Sequence, residues 1–291
     1  MGLVKLAGLP AIEELEKEGW RMIEPEDGGK RLRVLILNLM PLKQQTERQL
    51  LRRLAAAKPV VEAVLLTTES YASTHVDPEH LKVHYKTFSQ VRQEDWDGLI
   101  ITGAPVEHMD FEEVAYWEEL TQMMAWSETH VRSVLHICWG AQAGLYYHYG
   151  IPKRSLPEKQ FGIYPHRVVT AGLLTQDMED PFPAPHSRHT YTAKEDVERV
   201  QELQLVAESP LAGVYLLLDE KRRYVFVTGH SEYEADTLAQ EYRRDLGKGL
   251  PIALPYHYFP EDDAQRAPVS IWDRHSETLF NNWLMFYASP V

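Results

Sequence analysis

The chain has 291 residues and carries a net charge of −13 with histidine counted as neutral. That acidity excludes a protein that binds nucleic acid through bulk positive charge, because such binding depends on neutralising backbone phosphates. A hydrophobic content of 44% with seven Trp and fifteen Tyr excludes a disordered chain, and the length suffices to bury a large core. One cysteine can form neither an internal disulfide nor a cysteine-based zinc site, so the composition favours a reducing compartment.

The sequence also argues against a membrane protein. No segment approaches the roughly 20 consecutive apolar residues that cross a bilayer, and residues 1–18 mix charges with no apolar signal core. We therefore expect a cytoplasmic protein with neither a membrane nor a nucleic acid as partner. Because the chain is acidic, a phosphate-bearing substrate would need a locally basic site.

The first predicted element is a short N-terminal helix. Pro10 suits the first turn of a helix, and Ile12 and Leu15 lie three residues apart on one face. We assign residues 1–30 to an N-terminal helical cap and residues 31–291 to a single α/β domain.

From residue 32 onward, continuous apolar runs alternate with segments of helical periodicity. Continuous apolar runs are typical of strands covered on both faces, as in a parallel sheet. The predicted strands are 32–38, 60–66, 98–102, 134–137, 214–218 and 224–227, and the predicted helices are 46–57, 111–128, 140–145 and 236–245. This alternation favours a doubly wound, mostly parallel α/β sheet flanked by helices.

Two later segments depart from the alternation. Strands 214–218 and 224–227 are separated by a short charged turn, which predicts a hairpin. The proline-rich segment 180–185 predicts a loop, because proline can neither continue a helix nor donate to a central strand.

The single cysteine, Cys138, directly follows a predicted strand and precedes a predicted helix. The carboxyl edge of a doubly wound sheet is where ligands bind, and a sharp strand-to-helix turn there is typical of a nucleophile elbow. A helix N-terminus lowers the pKa of a thiol placed on it, and its free N–H groups can hold an oxyanion. The alternative interpretation is a buried cysteine that only packs.

A nucleophilic thiol needs a base and an orienting group, and His230 and Glu232 fit those roles. Both follow the predicted strand 224–227, at the carboxyl edge that Cys138 also occupies. Residues two apart in an extended segment project to the same side, so Glu232 can accept a hydrogen bond from His230. The alternative is an ordinary solvated loop.

The remaining histidines and glycines give no cofactor signal. His166, His186 and His189 lie in predicted loops, without the spacing of three metal ligands. Residues 103–105 lack the glycines and lysine of a phosphate-binding loop, which argues against nucleotide chemistry. We predict no metal and no resident cofactor.

Seven segments, taken in order along the chain, resemble the homoserine O-acyltransferases of methionine biosynthesis. The resemblance covers about residues 30–290 and is carried by segments 38–43, 102–105, 114–117, 137–143, 149–153, 184–188 and 227–233. It implies a fold like the class I glutamine amidotransferase domain, a ping-pong reaction between an acyl-CoA and L-homoserine, and a homodimer. No bound cofactor is implied, since acetyl-CoA is a co-substrate.

The resemblance also implies roles for individual residues. Cys138 would carry the acyl group as a thioester, His230 would act as general base, and Glu232 would orient it. Further implied roles are substrate binding for Lys159, Ser187 and Arg244, and stabilisation of the oxyanion by Lys43 and the Trp139 backbone N–H. The planar guanidinium of an arginine matches an α-carboxylate bidentately, which suits Arg244.

Glu107 is the residue that bears on the choice of acyl donor. Members of the resembling family with Glu at this position use acetyl-CoA, whereas those with Gly use succinyl-CoA. A carboxylate about 4 Å from the succinyl carboxylate would cost on the order of 1 to 4 kcal/mol, depending on the local dielectric. The resemblance therefore predicts acetyl-CoA, unless Glu107 is solvated or protonated.

Two other classes of function stay open. The same Cys and His-x-Glu arrangement serves glutaminases and peptidases, although His136 replaces the glycine usual in amidotransferase elbows and favours the acyltransferase. A non-catalytic binding module would keep a pocket and an inert thiol. Residue chemistry alone does not separate homoserine from serine as the acceptor.

Overall fold

The computed structural model describes residues 2–71 and 76–290, which contain one twelve-stranded mixed sheet. The strands are β1 (Gly2–Val4), β2 (Met22–Ile23), β3 (Leu32–Leu37), β4 (Val60–Leu66), β5 (Tyr85–Lys86), β6 (Trp96–Ile101), β7 (Val131–Ile137), β8 (Lys153–Val168), β9 (Phe182–Thr192), β10 (Gln204–Ser209), β11 (Gly213–Asp219) and β12 (Tyr224–Val227). The helices are α1 (Pro10–Lys17), α2 (Lys43–Ala56), α3 (Pro78–His84), α4 (Phe88–Val91), α5 (Trp117–His130), α6 (Trp139–Tyr149), α7 (Lys194–Val197), α8 (Thr237–Gly247) and α9 (Asp273–Asn282).

The centre of the sheet is parallel and lies between two layers of helices. Its strand order is β4-β3-β6-β7-β12, and every neighbouring pair in it is parallel. Along β3, Val34 and Ile36 pack with α2 and α9, whereas Leu35 and Leu37 pack with α5 and α6. Both faces of the strand are therefore covered, which explains its continuous apolar run and confirms the predicted doubly wound α/β sheet.

The other half of the sheet is antiparallel. Beyond β12 the order continues β11-β10-β8-β9, with antiparallel pairing throughout. The predicted hairpin between β11 and β12 is confirmed. β8 and β9 form a long two-stranded arm that packs through Phe161 and Ile163 against Leu238 of α8. This contact places the arm beside the segment that follows β12.

The predicted loop at 180–185 is wrong, because β9 begins at Phe182 and includes Pro183 and Pro185. Among the strands of the described residues, β9 pairs only with β8 and is an edge strand. The carbonyl of Pro185 accepts a hydrogen bond from the backbone N–H of His230 at 2.9 Å, on the side away from β8. Proline has no N–H to donate, and at Pro185 this missing donor faces away from β8. No hydrogen bond between β8 and β9 is therefore lost, as is typical of proline in an edge strand.

The predicted loop positions of three histidines are also wrong. His166 lies on β8, and His186 and His189 lie on β9. In the strand register His166 pairs with Phe182 and His186 pairs with Gly162, and Nε2 of His166 lies 3.0 Å from Nε2 of His186. Several buried positions of β9 are polar, namely His186, Arg188, Thr190 and Thr192, so this strand leaves no continuous apolar run in the sequence.

The N-terminal helix is confirmed as α1, but two strands flank it that were not predicted. β1 pairs in parallel with both β2 and β4, so the segment extends the main sheet. Leu9 and Leu15 are fully buried in the same core as α2. Residues 2–23 thus do more than cap the domain, and the boundary at residue 30 stays a prediction.

Two further findings concern the helices. α5 begins at Trp117 instead of residue 111, and a 3₁₀ turn at Phe111–Glu113 precedes it. Among the helices of residues 2–71 and 76–290, none has the length and apolar composition needed to cross a membrane.

Candidate active site

Cys138 occupies the turn between β7 and α6, as predicted. Its backbone has φ 52° and ψ −115°, a conformation that L-residues rarely adopt and that costs strain. Its N–H donates to the carbonyl of Val227 at 2.7 Å, which ties the turn to the end of β12. A methyl group on Gly140 would lie 2.5 Å from the carbonyl oxygen of Thr102, so only glycine lets the turn approach the end of β6. This geometry is that of a nucleophile elbow.

His230 and Glu232 are brought together behind the thiol, but the predicted extended segment is wrong, because a hydrogen bond from the N–H of Tyr233 to the carbonyl of His230 at 3.2 Å closes a turn there. Nδ1 of His230 lies 2.6 Å from Oε1 of Glu232, and both side chains are buried. A methyl group on Gly103 would lie 3.4 Å from Cβ of Cys138 and 3.6 Å from Cε1 of His230, so the thiol and the imidazole border the same small space. The three residues form a Cys-His-Glu triad in space.

The charge state of His230 follows from these neighbours. Burial on its own would lower the pKa of the imidazole, but the Cys138 thiolate and the Glu232 carboxylate, both hydrogen-bonded to the ring, raise it well above its usual range. Tyr233 stacks on the imidazole with ring centroids 4.1 Å apart. The imidazole of His230 therefore favours its protonated form, and the stacked ring of Tyr233 fixes its orientation.

The two predicted oxyanion groups have different environments. As the first residue of α6, Trp139 has an N–H with no acceptor inside its own helix, adjacent to Cys138. Nζ of Lys43 instead donates to the carbonyl of Asn38 at 2.5 Å, and burial lowers the pKa of this lysine to about 8. Lys43 does not line the cavity that contains Cys138.

A cavity of about 730 Å³ opens over the thiol. Cys138 and His230 lie on its wall, and Glu232 lies behind His230. The predicted residues Glu107, Lys159, Ser187 and Arg244 also line it, together with Gln45, Gln49, His189, Tyr233, Glu241 and Asp245. The fold thus brings residues from seven different elements or loops to one cavity.

The wall formed by the arm and α8 is a network of charged groups. Oε2 of Glu241 accepts a hydrogen bond from Oγ of Ser187 at 2.6 Å and one from Nζ of Lys159 at 3.3 Å. Arg244 donates twice to Asp245, from Nε at 2.7 Å and from Nη2 at 3.0 Å. This hydrogen bonding to Arg244 lowers the pKa of the Asp245 carboxyl.

Glu241 and Tyr233 were missed by the sequence analysis. Glu241 accepts from both Ser187 and Lys159, and its Oε1 accepts from the hydroxyl of Tyr233 at 2.9 Å. A signal for Glu241 was present, because it lies three residues after the buried Leu238 on the same face of the helix. An acidic residue on the apolar face of a helix indicates a functional site. Its contacts could not be predicted, because its partners come from distant segments of the chain.

Glu107 lies on the loop that follows β6. Its Oε2 accepts a hydrogen bond from the backbone N–H of His189 at 2.8 Å, which fixes the carboxylate on the cavity wall.

Within residues 2–71 and 76–290 no three His, Cys, Asp or Glu side chains converge on a point that could hold a metal ion. The prediction of no metal and no cofactor stays a prediction.

The match to known families decides what kind of protein carries this site. The model of the homoserine O-succinyltransferase family matches residues 4–290. The chain belongs to the homoserine O-succinyltransferase family.

Several relatives are named for transfer of an acetyl group, whereas the family is named for transfer of a succinyl group. A homoserine O-acetyltransferase of Brevibacillus brevis is 48% identical over 285 residues, spanning 96% of this chain and 93% of the relative. Proteins of the same name from Acetivibrio thermocellus and Bacteroides thetaiotaomicron are 50% and 49% identical, with the same coverage. The homoserine O-succinyltransferase family therefore includes members named for acetyl transfer.

Solved structures show the same fold at low sequence identity. A glutamine amidotransferase from Thermotoga maritima is 12% identical with a TM-score of 0.56, covering 90% of this chain and 100% of its own. A glutamine amidotransferase from Methylobacillus flagellatus is 11% identical with a TM-score of 0.57, covering 88% and 95%. The predicted class I glutamine amidotransferase-like fold is confirmed for this member of the homoserine O-succinyltransferase family.

Proposed function

We propose that this protein transfers the acetyl group of acetyl-CoA to the hydroxyl of L-homoserine, through a thioester on Cys138, in methionine biosynthesis. The observation that carries the proposal is the triad, a thiol on an elbow paired with His230 and Glu232 at the floor of a large cavity. The names of the close relatives support both the acceptor and the acetyl donor.

In the first half-reaction the Cys138 thiolate attacks the carbonyl carbon of acetyl-CoA. The tetrahedral oxyanion accepts a hydrogen bond from the N–H of Trp139. A carbon–sulfur bond to Cys138 forms, the bond to the CoA sulfur breaks, and this sulfur takes the proton that His230 carries on Nε2. Acetylated Cys138 and a neutral imidazole remain.

In the second half-reaction the neutral imidazole acts as a general base. Nε2 of His230 takes the proton of the homoserine hydroxyl while the oxygen attacks the thioester carbon. The bond to Cys138 breaks, and the sulfur leaves as a thiolate beside the imidazolium. Glu232, fixed on Nδ1, stabilises the positive ring in both half-reactions.

The charges on the cavity wall suit an amino acid as acceptor. A zwitterion presents an ammonium and a carboxylate, and the wall offers acids at Glu241 and Asp245 beside bases at Lys159 and Arg244. These groups are bound to one another in the free enzyme, so the acceptor exchanges with existing ion pairs instead of meeting unpaired charges. Serine carries the same charges, and the names of the relatives favour homoserine.

Glu107 supports acetyl over succinyl transfer. Its carboxylate is held on the cavity wall by the N–H of His189, so a second carboxylate from a succinyl group would meet a fixed negative charge. The repulsion is worth on the order of 1 to 4 kcal/mol at about 4 Å. A homodimer and a cytoplasmic location stay predictions.

Intact-mass spectrometry tests the proposal directly. Wild-type protein mixed with acetyl-CoA is expected to gain one acetyl group on Cys138 and to lose it when homoserine is added. Cys138→Ser should gain no labile acetyl group while keeping the wild-type melting temperature. Folded wild-type protein that stays unmodified, or that releases ammonia from glutamine instead, would contradict the proposal, and faster release to serine than to homoserine would reject the acceptor.

A further inference from the structure

A buried chain of hydrogen bonds lies behind the triad. The hydroxyl of Tyr215, on β11, lies 2.5 Å from Oγ of Ser231 and 2.7 Å from Nε2 of His275, on α9. All three side chains are at most 3% exposed. Ser231 is the residue between His230 and Glu232, so the chain of hydrogen bonds ends on the catalytic segment itself.

Tyr215 contacts this segment at two further points. Its carbonyl oxygen accepts a hydrogen bond from the N–H of Thr228 at 2.9 Å. A methyl group on Gly229 would lie 2.9 Å from Cε2 of the Tyr215 ring, so backbone and ring are already in contact there. One tyrosine thus touches the segment at Thr228, Gly229 and Ser231.

The direction of the hydrogen bonds follows from the burial of His275. Burial lowers the pKa of this imidazole well below its usual range, so the ring is neutral and carries one proton. Nδ1 of His275 is buried without a partner in the described part of the chain. A buried N–H without an acceptor is rarer than an unsatisfied acceptor, so we assign the proton to Nε2. Nε2 then donates to Tyr215, whose hydroxyl donates to Ser231.

We propose that Tyr215 and His275 are positioning residues that align His230 with Glu232 and Cys138. Residues 230–233 form a turn, closed by a hydrogen bond from the N–H of Tyr233 to the carbonyl of His230 at 3.2 Å, and Ser231 lies inside this turn between the two paired side chains. Fixing Ser231 therefore fixes the turn that carries both His230 and Glu232. The proposal rests on the proposed function, because the reaction needs that alignment.

Tyr215→Phe and Ser231→Ala test the role, since each removes one hydroxyl and keeps the rest of the packing. Both variants are expected to acetylate Cys138 about 10- to 100-fold more slowly, as misplacement of a catalytic group does. The alkaline limb of the pH profile should also move to lower pH, because a misaligned Glu232 supports the imidazolium less. The other titratable groups that face His230, which are Cys138, Tyr233 and His186, are unchanged in both variants.

Tyr149→Phe is the matched control. It also removes a tyrosine hydroxyl with a hydrogen bond, here to Oδ2 of Asp219 at 2.7 Å, at the far end of α6. This variant should keep the wild-type acetylation rate and pH profile. The double variant Tyr215→Phe, Ser231→Ala should be no slower than the slower single variant, because the same hydrogen bond is lost.

Alkylation of Cys138 by iodoacetamide provides a readout without acetyl-CoA, and the single cysteine makes it specific. Alkylation at neutral pH should slow in Tyr215→Phe and Ser231→Ala but not in Tyr149→Phe. Unchanged alkylation and an unchanged alkaline limb in folded Ser231→Ala would overturn the positioning role, even where Tyr215→Phe does not fold. If the wild type takes up no acetyl group, the proposed function is rejected, whereas the alkylation rates still test the positioning role.

Discussion

In the proposed mechanism, the positive charge of His230 controls the first half-reaction. Free histidine loses its proton near pH 6.5, whereas the Cys138 thiolate and the Glu232 carboxylate raise the pKa of this ring well above that. The imidazolium therefore persists at neutral pH, where it must protonate the departing CoA sulfur. Loss of the proton at higher pH should end acetylation of Cys138, which gives the pH profile an alkaline limb.

Glu232→Gln tests how much the carboxylate contributes to that charge. The amide keeps the size of the side chain but removes the negative charge, so the pKa of His230 should fall and the alkaline limb should move to lower pH. Acetylation of Cys138 should slow on the order of 100-fold. Rapid-quench mass spectrometry across pH measures both effects. An unmoved alkaline limb would show that Glu232 does not stabilise the imidazolium.

Glu107 offers a prediction on donor choice. Glu107→Gly should raise kcat/KM for succinyl-CoA relative to acetyl-CoA, on the order of tenfold or more, because it removes a repulsion of about 1 to 4 kcal/mol. Glu107→Gln removes the charge but keeps the size of the side chain, so it separates electrostatic repulsion from steric exclusion. If charge decides, the Gln variant should move the ratio in the same direction. Wild-type protein with equal kcat/KM for the two donors would contradict the assignment.

At the scale of single elements, the elbow depends on the close approach of α6 to the end of β6. Gly140 lies where a methyl group would meet the carbonyl oxygens of Thr102 and Ile101 at 2.5 and 2.7 Å. These are backbone atoms in a buried sheet, so they cannot move aside as a flexible side chain does. The approach keeps Cys138 at the edge shared by β6, β7 and β12.

Gly140→Ala should therefore destabilise the protein and displace the thiol. We expect a loss of about 1 to 3 kcal/mol in the free energy of unfolding, as for overpacking in a core, with a larger fractional loss of Cys138 acetylation. Gly172→Ala is the control, because nothing lies within 4 Å of its added methyl group. Urea denaturation of both variants measures the difference. Equal stability of the two would contradict the close approach.

The elements differ in how well the sequence predicts them. β3, β4, β6 and β7 were predicted because strands buried on both faces leave continuous apolar runs. β8 and β9 were not, since their sequences contain no such run and prolines in a strand are tolerated only at an edge. The triad could be predicted because Cys138 directly follows β7 and because His230 and Glu232 come within a few residues of the end of β12, at the same edge of the sheet. Glu241 and Tyr215 were not, because their partners lie tens of residues away along the chain.

At the scale of the whole molecule, the N-terminal segment belongs to the main sheet. β1 and β2 extend the sheet beyond β4, and Leu3, Leu9 and Leu15 are fully buried in the core that α2 and α9 share. Leucines buried this completely each stabilise a fold by about 2 to 3 kcal/mol. Together they approach the whole stability of an ordinary domain.

Removal of residues 1–30 should consequently prevent folding. We expect the truncated chain to show no cooperative thermal transition, whereas the full chain with Leu15→Ala should keep one and lose about 2 to 5 kcal/mol. Calorimetry of both proteins measures this. A truncated chain that melts cooperatively and acetylates Cys138 would instead support a separable cap with a boundary near residue 30.

The edge strand β9 has a consequence for the proposed second half-reaction. Pro185 anchors the backbone of His230, and Ser187, two residues later, lies in the cavity bound to Glu241. Two residues of strand span about 6 to 7 Å, a length fixed by backbone geometry. The backbone of the proposed base is thus hydrogen-bonded to the same short piece of main chain that carries Ser187 of the cavity wall. The spacing of the two attachment points, Pro185 and Ser187, is set by covalent geometry, so a shift of the arm displaces both together.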